Sequence, residues 1–182
     1  LDSSHNNTIT NNLANSNIYS GILFRYSTNN IITNNTANSN SHGIELQYSI
    51  NNTVTSNFVR SSGWVGVYLY YSNYSTVTDN TVSSSYQGIY LHSSTNNTIT
   101  NNTANSNRHG IYLRSSTNNT ITNNTASLNT YCGIFLQAST NNTITNNTAN
   151  SNGNGIYLDS SHNNTITNNL ANSNIYSGIL FR

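Results

Sequence analysis

The chain has 182 residues, a formal net charge of +1 and only 5% charged residues, but 41 asparagines, 28 serines and 25 threonines. The five arginines are dispersed, which argues against a nucleic acid as partner. No apolar run approaches the roughly 20 residues of a membrane-spanning helix, and the single Cys132 excludes an intrachain disulfide.

Two short motifs recur along the chain with a fixed phase. Thr-Ile-Thr and its variants return every 22 or 23 residues, centred on Ile9, Ile32, Val54, Val77, Ile99, Ile121, Ile144 and Ile166. Gly-Ile-x-Leu and its variants begin at Gly21, Gly43, Gly66, Gly88, Gly110, Gly133, Gly155 and Gly178. A constant internal period predicts one stacked array over residues 1–182, with about eight coils.

Within each unit, apolar and polar residues alternate, which predicts strands with one buried face. Ile111 and Leu113 flank Tyr112, and Ile121 lies between two threonines. A unit of 22–23 residues has room for three short strands and tight turns, and no 3.6-residue apolar stripe indicates a helix. We therefore expect an all-β, right-handed parallel β-helix. A left-handed hexapeptide helix and a leucine-rich repeat fit the period and the polar composition less well.

Two polar columns have the period of the coils and are interpreted as structural ladders. Stacked carboxamides can hydrogen-bond along the axis, and asparagine tolerates left-handed turns. The asparagine column contains Asn12, Asn35, Asn57, Asn80, Asn102, Asn124, Asn147 and Asn169. The serine column contains Ser4, Ser27, Ser49, Ser72, Ser94, Ser116, Ser139 and Ser161.

The sequence also contains a longer repeat, which spans several coils. Residues 1–25 and 158–182 are identical, including positions that vary in other coils. This predicts a superrepeat of 157 residues, or seven coils, with one copy at 1–157 and the start of the next at 158–182. Because the chain begins and ends within Gly-Ile-x-Leu strands, we expect an uncapped excerpt of a longer solenoid.

Neither catalytic nor metal-binding residues are predicted. The four acids are dispersed, whereas sugar-cleaving sites use paired carboxylates. The histidines His42 and His109 share one position but lie three coils apart, too far to share an ion. We therefore expect no enzymatic activity, no cofactor and no metal.

An outward aromatic column is the predicted interaction surface. Alternation places the middle residue of Gly-Ile-x-Leu outside, and Trp64 lies close by. The column contains Tyr68, Tyr90, Tyr112, Phe135 and Tyr157. It either stacks on sugar rings or a neighbouring rod, or forms a self-stacked ladder that stabilises the sheet. Sequons at the turn positions Asn6, Asn96 and Asn118 are candidate N-glycosylation sites.

The units at 93–104 and 115–126, each joined to Gly-Ile-x-Leu, resemble the NosD-like group of parallel β-helix repeats, also called carbohydrate-binding and sugar-hydrolase repeats. The resemblance implies an exported protein of archaeal cell surfaces. We expect an extracellular filament, stalk or sheath component that assembles with itself. The alternative is a cell-surface module that binds glycans through the aromatic column.

Overall fold

The computed structural model describes residues 1–182 and is an all-β solenoid of about eight turns without any helix. Every pairing between strands is parallel and in register, and it joins residues 22 or 23 positions apart, as in Thr98 with Thr120. The predicted parallel β-helix is therefore confirmed.

Three sheets run along the solenoid. The long-strand sheet contains Ser20–Arg25 (β2), His42–Gln47 (β4), Val65–Tyr70 (β7), Gln87–His92 (β10), His109–Arg114 (β13), Cys132–Gln137 (β15), Asn154–Asp159 (β17) and Ser177–Phe181 (β19). The threonine sheet contains Thr8–Thr10 (β1), Ile31–Thr33 (β3), Thr53–Thr55 (β5), Thr76–Thr78 (β8), Thr98–Thr100 (β11), Thr120–Thr122 (β14), Thr143–Thr145 (β16) and Thr165–Thr167 (β18). A short sheet contains Phe58–Arg60 (β6), Thr81–Ser83 (β9) and Thr103–Asn105 (β12).

One apolar core of 25 buried residues extends along the axis. The long-strand sheet contributes the isoleucine and leucine of each Gly-Ile-x-Leu motif, such as Ile111 and Leu113. Each strand of the threonine sheet contributes its central residue, such as Ile121. The third side of the solenoid, which contains the short sheet, contributes small residues, such as Ala126. The core is thin, so each coil depends on its neighbours to cover its apolar side chains.

The corners of the coils are built by residues with left-handed backbone conformation, and none of them is a glycine. In one coil these are Ser93, Asn96, Asn101 and Ser106, with φ between 51° and 58°. Asparagine favours this conformation because its short polar side chain hydrogen-bonds locally. We expected the asparagine column that contains Asn102 to form this turn. The turn is formed instead by the preceding residue in sequence, such as Asn101.

Members of the Asn102 column point inward instead and connect three coils. The Asn102 side-chain amide donates to the carbonyls of Val77 and Thr100, each at 2.9 Å, and to Asn124 Oδ1 at 3.0 Å. Its Oδ1 accepts hydrogen bonds from the backbone and side-chain nitrogens of Asn80, both at 3.0 Å. Asn102 is buried, so each of these polar groups, if left without a hydrogen-bond partner, would reduce the free energy of unfolding by about 1–3 kcal/mol.

Two further inward columns have similar bonding, and sequence analysis missed both. Serine replaces asparagine in some coils, which hides the period. One column contains Asn7, Asn30, Asn52, Ser75, Asn97, Asn119, Asn142 and Asn164. The other contains Asn17, Asn40, Ser62, Ser85, Asn107, Asn129, Asn152 and Asn174.

The Ser94 column forms a fourth inward line of hydrogen bonds. The Ser94 hydroxyl donates to the carbonyl of His92 at 3.0 Å and contacts that of Leu69 at 3.2 Å. Its backbone nitrogen donates to the hydroxyl of Ser116 at 3.2 Å. No histidine or lysine contacts these buried hydroxyls, so the column ties coils together.

Each Gly-Ile-x-Leu glycine is required by a close approach between coils. A Cβ at Gly88 would lie 2.5 Å from the carbonyl oxygen of Gly110 and 2.8 Å from Asn107 Nδ2. Those atoms belong to the backbone and to a buried asparagine, so neither can move aside. The recurrence of glycine therefore reflects the space between coils and not a positive φ.

Candidate functional site on the outer face of the long-strand sheet

The outer face of the long-strand sheet carries three columns of side chains. The middle residue of Gly-Ile-x-Leu faces outward, as predicted from alternation. The residue before the glycine faces the same way, because Val65 and Cys132 pack in one cluster with Tyr90 and Phe135. Alternation is broken at the glycine. His42, before the glycine of β4, therefore lies on the same face as the middle residue Glu45. Gln47, after the motif, lies on this face by ordinary alternation.

Five aromatic rings form a continuous stack along this face. Successive centroids are 4.7–5.1 Å apart and the ring planes are within 21° of parallel. The stack contains Tyr68, Tyr90, Tyr112, Phe135 and Tyr157. Only 5–8% of the surface of the last four residues is exposed, because the ring faces cover one another. The expected exposure of this column is therefore wrong, since the ring faces are covered and only ring edges point outward. The arrangement is that of the self-stacked ladder, which was the alternative to an interaction surface.

Burial in and beside the stack favours the neutral forms of titratable side chains. Burial raises the pKa of Tyr112 to about 12, and burial also raises the pKa of the Cys132 thiol to about 12. His109 lies against Tyr112 and Phe135, with centroids 5.4 and 5.3 Å away. Burial, helped by the charge of Arg108, lowers the pKa of His109 to about 4. Trp64 is exposed and stacks on Tyr86 at 5.7 Å.

The stack ends at Tyr68, and a cleft of about 370 Å³ begins there. The next middle residues along the column are Glu45 and Leu23, which leave the space that aromatic rings fill elsewhere. The cleft is lined by Tyr19, Ser20, Leu23, Arg25, His42, Glu45 and Gln47. These residues come from β2, β4 and the residue that precedes β2.

Glu45 is the centre of a hydrogen-bonded network in the cleft. Glu45 is 4% exposed, and its carboxylate accepts hydrogen bonds from the Ser20 hydroxyl and, at 2.5 Å, from Gln47 Nε2. His42 Nδ1 lies 3.7 Å from Glu45 Oε2. The imidazole is also positioned by Tyr68, on which it stacks at 5.6 Å. The carboxylate and the imidazole are thus fixed beside each other at the edge of the cleft.

Arg25 supplies a cation that has no acidic partner. Its Nε donates to Gln47 Oε1 at 2.9 Å, and no acidic side chain lies within ion-pairing distance of it. The terminal guanidinium nitrogens form no hydrogen bond within the protein. Arg25 lines the cleft. Its terminal nitrogens are a planar pair of donors, which suits a carboxylate or another planar anion.

From the sequence, Glu45 was one of four dispersed acids, and His42 was considered only as a metal ligand too far from His109. Their proximity was missed because strict alternation would put the two side chains on opposite faces. One signal was available: Glu45 interrupts the aromatic column in the same coil in which His42 precedes the glycine. The predicted sequon residues lie at left-handed corners, where Asn6 and Asn118 are exposed and Asn96 is partly exposed.

The NosD family, described as periplasmic copper-binding protein, matches residues 1–125 and 65–182. The chain therefore belongs to this family, and the predicted resemblance is confirmed. No curated protein is significantly similar to the chain in sequence. The fold contains no helix that could serve as a membrane span.

Several solved β-helices are similar in structure. The periplasmic alginate epimerase AlgG matches with a TM-score of 0.86 and 23% identity, over 90% of this chain and 44% of that chain. The A-module of the mannuronan C-5 epimerase AlgE6 of Azotobacter vinelandii matches with a TM-score of 0.77 and 15% identity, over 98% and 58%. The enzymatically active domain of bacteriophage CBA120 tailspike protein 2 matches with a TM-score of 0.68 and 13% identity, over 90% and 36%.

The expectation of a non-enzymatic protein is contradicted by these comparisons, because the matched structures are enzymes. From the sequence we considered only pairs of acids, and we overlooked a single carboxylate that lies beside an imidazole and near a guanidinium. The chain spans 36–58% of the length of these three enzymes.

The residues present do not fit a copper ion. The chain has no methionine, and its one thiol is buried with a raised pKa, so it remains protonated and unsuited to bind copper. No group of three or more histidine, cysteine, aspartate and glutamate side chains is close enough to hold a metal.

The buried imidazole of His109 predicts a pH-dependent stability. Its pKa in the folded chain, about 4, is below the ordinary 6.5, so between these values the unfolded chain binds the extra proton. The free energy of unfolding should fall as the pH drops from 6.5 to 4, with a slope approaching about 1.4 kcal/mol per pH unit from this group. Denaturant titrations at several pH values measure it.

His109→Gln is the matched variant, because Gln87 occupies the same position in the adjacent coil. The variant should lose less stability than the wild type over this pH range. Parallel pH profiles for the two proteins would show that His109 does not titrate in this way.

Proposed function

We propose that this chain is a polysaccharide-active β-helix whose cleft at the end of the aromatic stack binds an acidic sugar. One observation carries the proposal: the unpaired guanidinium of Arg25 lies in the same cleft as the His42–Glu45 pair. The enzymes of similar fold are described as acting on alginate and mannuronan, which are uronic acid polymers. Their names favour this substrate class.

Binding of the sugar is assigned to Arg25. A guanidinium recognises a carboxylate through two parallel hydrogen bonds. Glu45 does not compete for Arg25, because its oxygens are already engaged by Ser20 and Gln47.

The chemistry is assigned to His42, with Glu45 as its positioning residue. A neutral imidazole can remove the proton from the carbon next to the uronate carboxylate, and Glu45 stabilises the resulting imidazolium. Arg25 stabilises the negative charge that develops on the carboxylate in this step. Delivery of a proton from solvent to the opposite face of that carbon gives epimerisation. Departure of the neighbouring glycosidic oxygen, which takes up a proton from solvent, gives β-elimination and leaves a carbon–carbon double bond. Both outcomes share this first proton transfer.

Arg25→Gln should weaken binding of a polyuronate oligosaccharide by roughly 10- to 100-fold, because a hydrogen bond to a charged group contributes about 1.5–3 kcal/mol. Isothermal titration calorimetry measures the affinity. Arg60→Gln is the matched control, since it removes the same charge from an exposed position in β6 on another side of the solenoid. Equal affinities for the two variants would contradict the assignment.

A location outside the cytoplasm is part of this proposal. The family and AlgG are both described as periplasmic. The corner sequons are compatible with glycosylation at Asn6, Asn96 and Asn118.

A second proposal concerns the architecture, and it rests on the identity of residues 1–25 and 158–182. We propose that the chain is part of an extended extracellular filament with a seven-coil unit. Tyr176, Ser177, Leu180 and Arg182 repeat four of the residues that line the cleft. A continuing superrepeat would therefore present one acidic-sugar cleft in each unit.

The filament proposal predicts fibres with an axial repeat of roughly 34 Å, which is seven coils at about 4.8 Å each. Cryo-electron microscopy of native material measures this repeat. Separate rods of fixed short length, without an axial repeat, would contradict the filament.

A further inference from the structure

The outer face of the threonine sheet is a regular array of threonine side chains. Each strand places its central residue in the core and its two flanking residues outside. One outer column contains Thr8, Ile31, Thr53, Thr76, Thr98, Thr120, Thr143 and Thr165. The other contains Thr10, Thr33, Thr55, Thr78, Thr100, Thr122, Thr145 and Thr167. Only Ile31 interrupts the array.

The pairing of the strands makes this array a two-dimensional lattice. All eight strands pair in register, as Thr98 with Thr120 and Thr100 with Thr122. Neighbouring threonines are about 4.8 Å apart across strands and roughly 6.6 Å apart along a strand. Seven steps between strands extend the lattice over about 34 Å.

Most hydroxyls of the array are free to bind an external partner. Hydrogen bonds within the protein are made only by the hydroxyls of Thr55, Thr78 and Thr145. The remaining twelve threonines make none through their side chains. The two columns contain no charged side chain, although Asp79 stands at the adjacent corner.

Strand preference alone does not account for the array. Threonine is favoured in exposed strands, but the other outward surfaces of this chain are mixed. The long-strand sheet displays Arg25, Glu45 and Arg114, and the short sheet displays Phe58 and Arg60. The threonine face alone is uniform, neutral and periodic.

We propose that this face binds crystalline water. A flexible polymer can match a few hydroxyls, but only a partner that is itself periodic in two dimensions can engage all of them. Ice presents its oxygen atoms on a neutral lattice with repeats of similar size. Each threonine offers a hydroxyl that donates and accepts hydrogen bonds and a methyl group that displaces disordered water. The absence of charge removes the desolvation cost that would oppose contact with a solid surface.

The test is partition of the protein into slowly growing ice, together with inhibition of ice recrystallisation. The wild type should be enriched in the ice fraction relative to serum albumin. The double variant Thr100→Lys, Thr122→Lys should lose this enrichment, because two charged side chains hold the face away from the lattice. Circular dichroism and thermal unfolding establish that each variant is folded.

The matched control is Thr125→Lys, Thr148→Lys, which adds the same charges to paired positions on the third side of the solenoid. It should retain the wild-type enrichment.

The variant Thr100→Val, Thr122→Val replaces each hydroxyl with a methyl group and preserves shape and β preference. We expect reduced enrichment of this variant in ice. It provides the test if the lysine variant unfolds. A wild type that partitions no better than albumin, or a folded variant of the array that behaves as wild type, would overturn the proposal. Retention on crystalline cellulose without ice enrichment would also overturn it.

Discussion

The structure depends on hydrogen bonds between buried asparagines of successive coils. An inward asparagine such as Asn102 binds carbonyl groups of its own coil and of the preceding coil, and it contacts the asparagine of the following coil. These bonds are satisfied together only when the coils stack without a shift in register. Three such columns and one serine column surround a thin apolar core, so the polar columns determine the alignment that the core alone would leave loosely specified.

Exact register has consequences for every outward surface. Any residue type that recurs in the coil becomes a straight column at the spacing of the strands. Five aromatic residues thereby become a closed stack, and fifteen threonines become a lattice. Departures from a column leave a local cavity: Glu45 and Leu23, in place of two aromatic rings, leave the cleft open. In a solenoid of this kind, function is best sought where a column is interrupted or where it is unusually uniform.

The period, the strands and the apolar columns could be predicted from sequence, because alternation and recurrence are local properties. The Asn102 column was also identified, but its role differed, since the preceding residue turns the chain. The columns through Asn97 and Asn107 were missed where serine replaces asparagine. The cleft was missed because alternation is broken at Gly43, so that His42 and Glu45 share a face and lie 3.7 Å apart. Sequence spacing within one coil does not contain that information.

The proton transfer that we propose for His42, at the carbon next to a uronate carboxylate, can be measured directly. Incubation of the chain with uronic acid polymers in deuterium oxide, followed by nuclear magnetic resonance of the sugar, measures this step directly. We expect the wild type to give either deuterium at that carbon, from epimerisation, or an unsaturated uronate, from β-elimination. We expect neither product with His42→Gln, although the variant still binds the polymer through Arg25. If the wild type gives neither product with any uronate polymer that it binds, or if both proteins give equal amounts, His42 does not carry out this proton transfer.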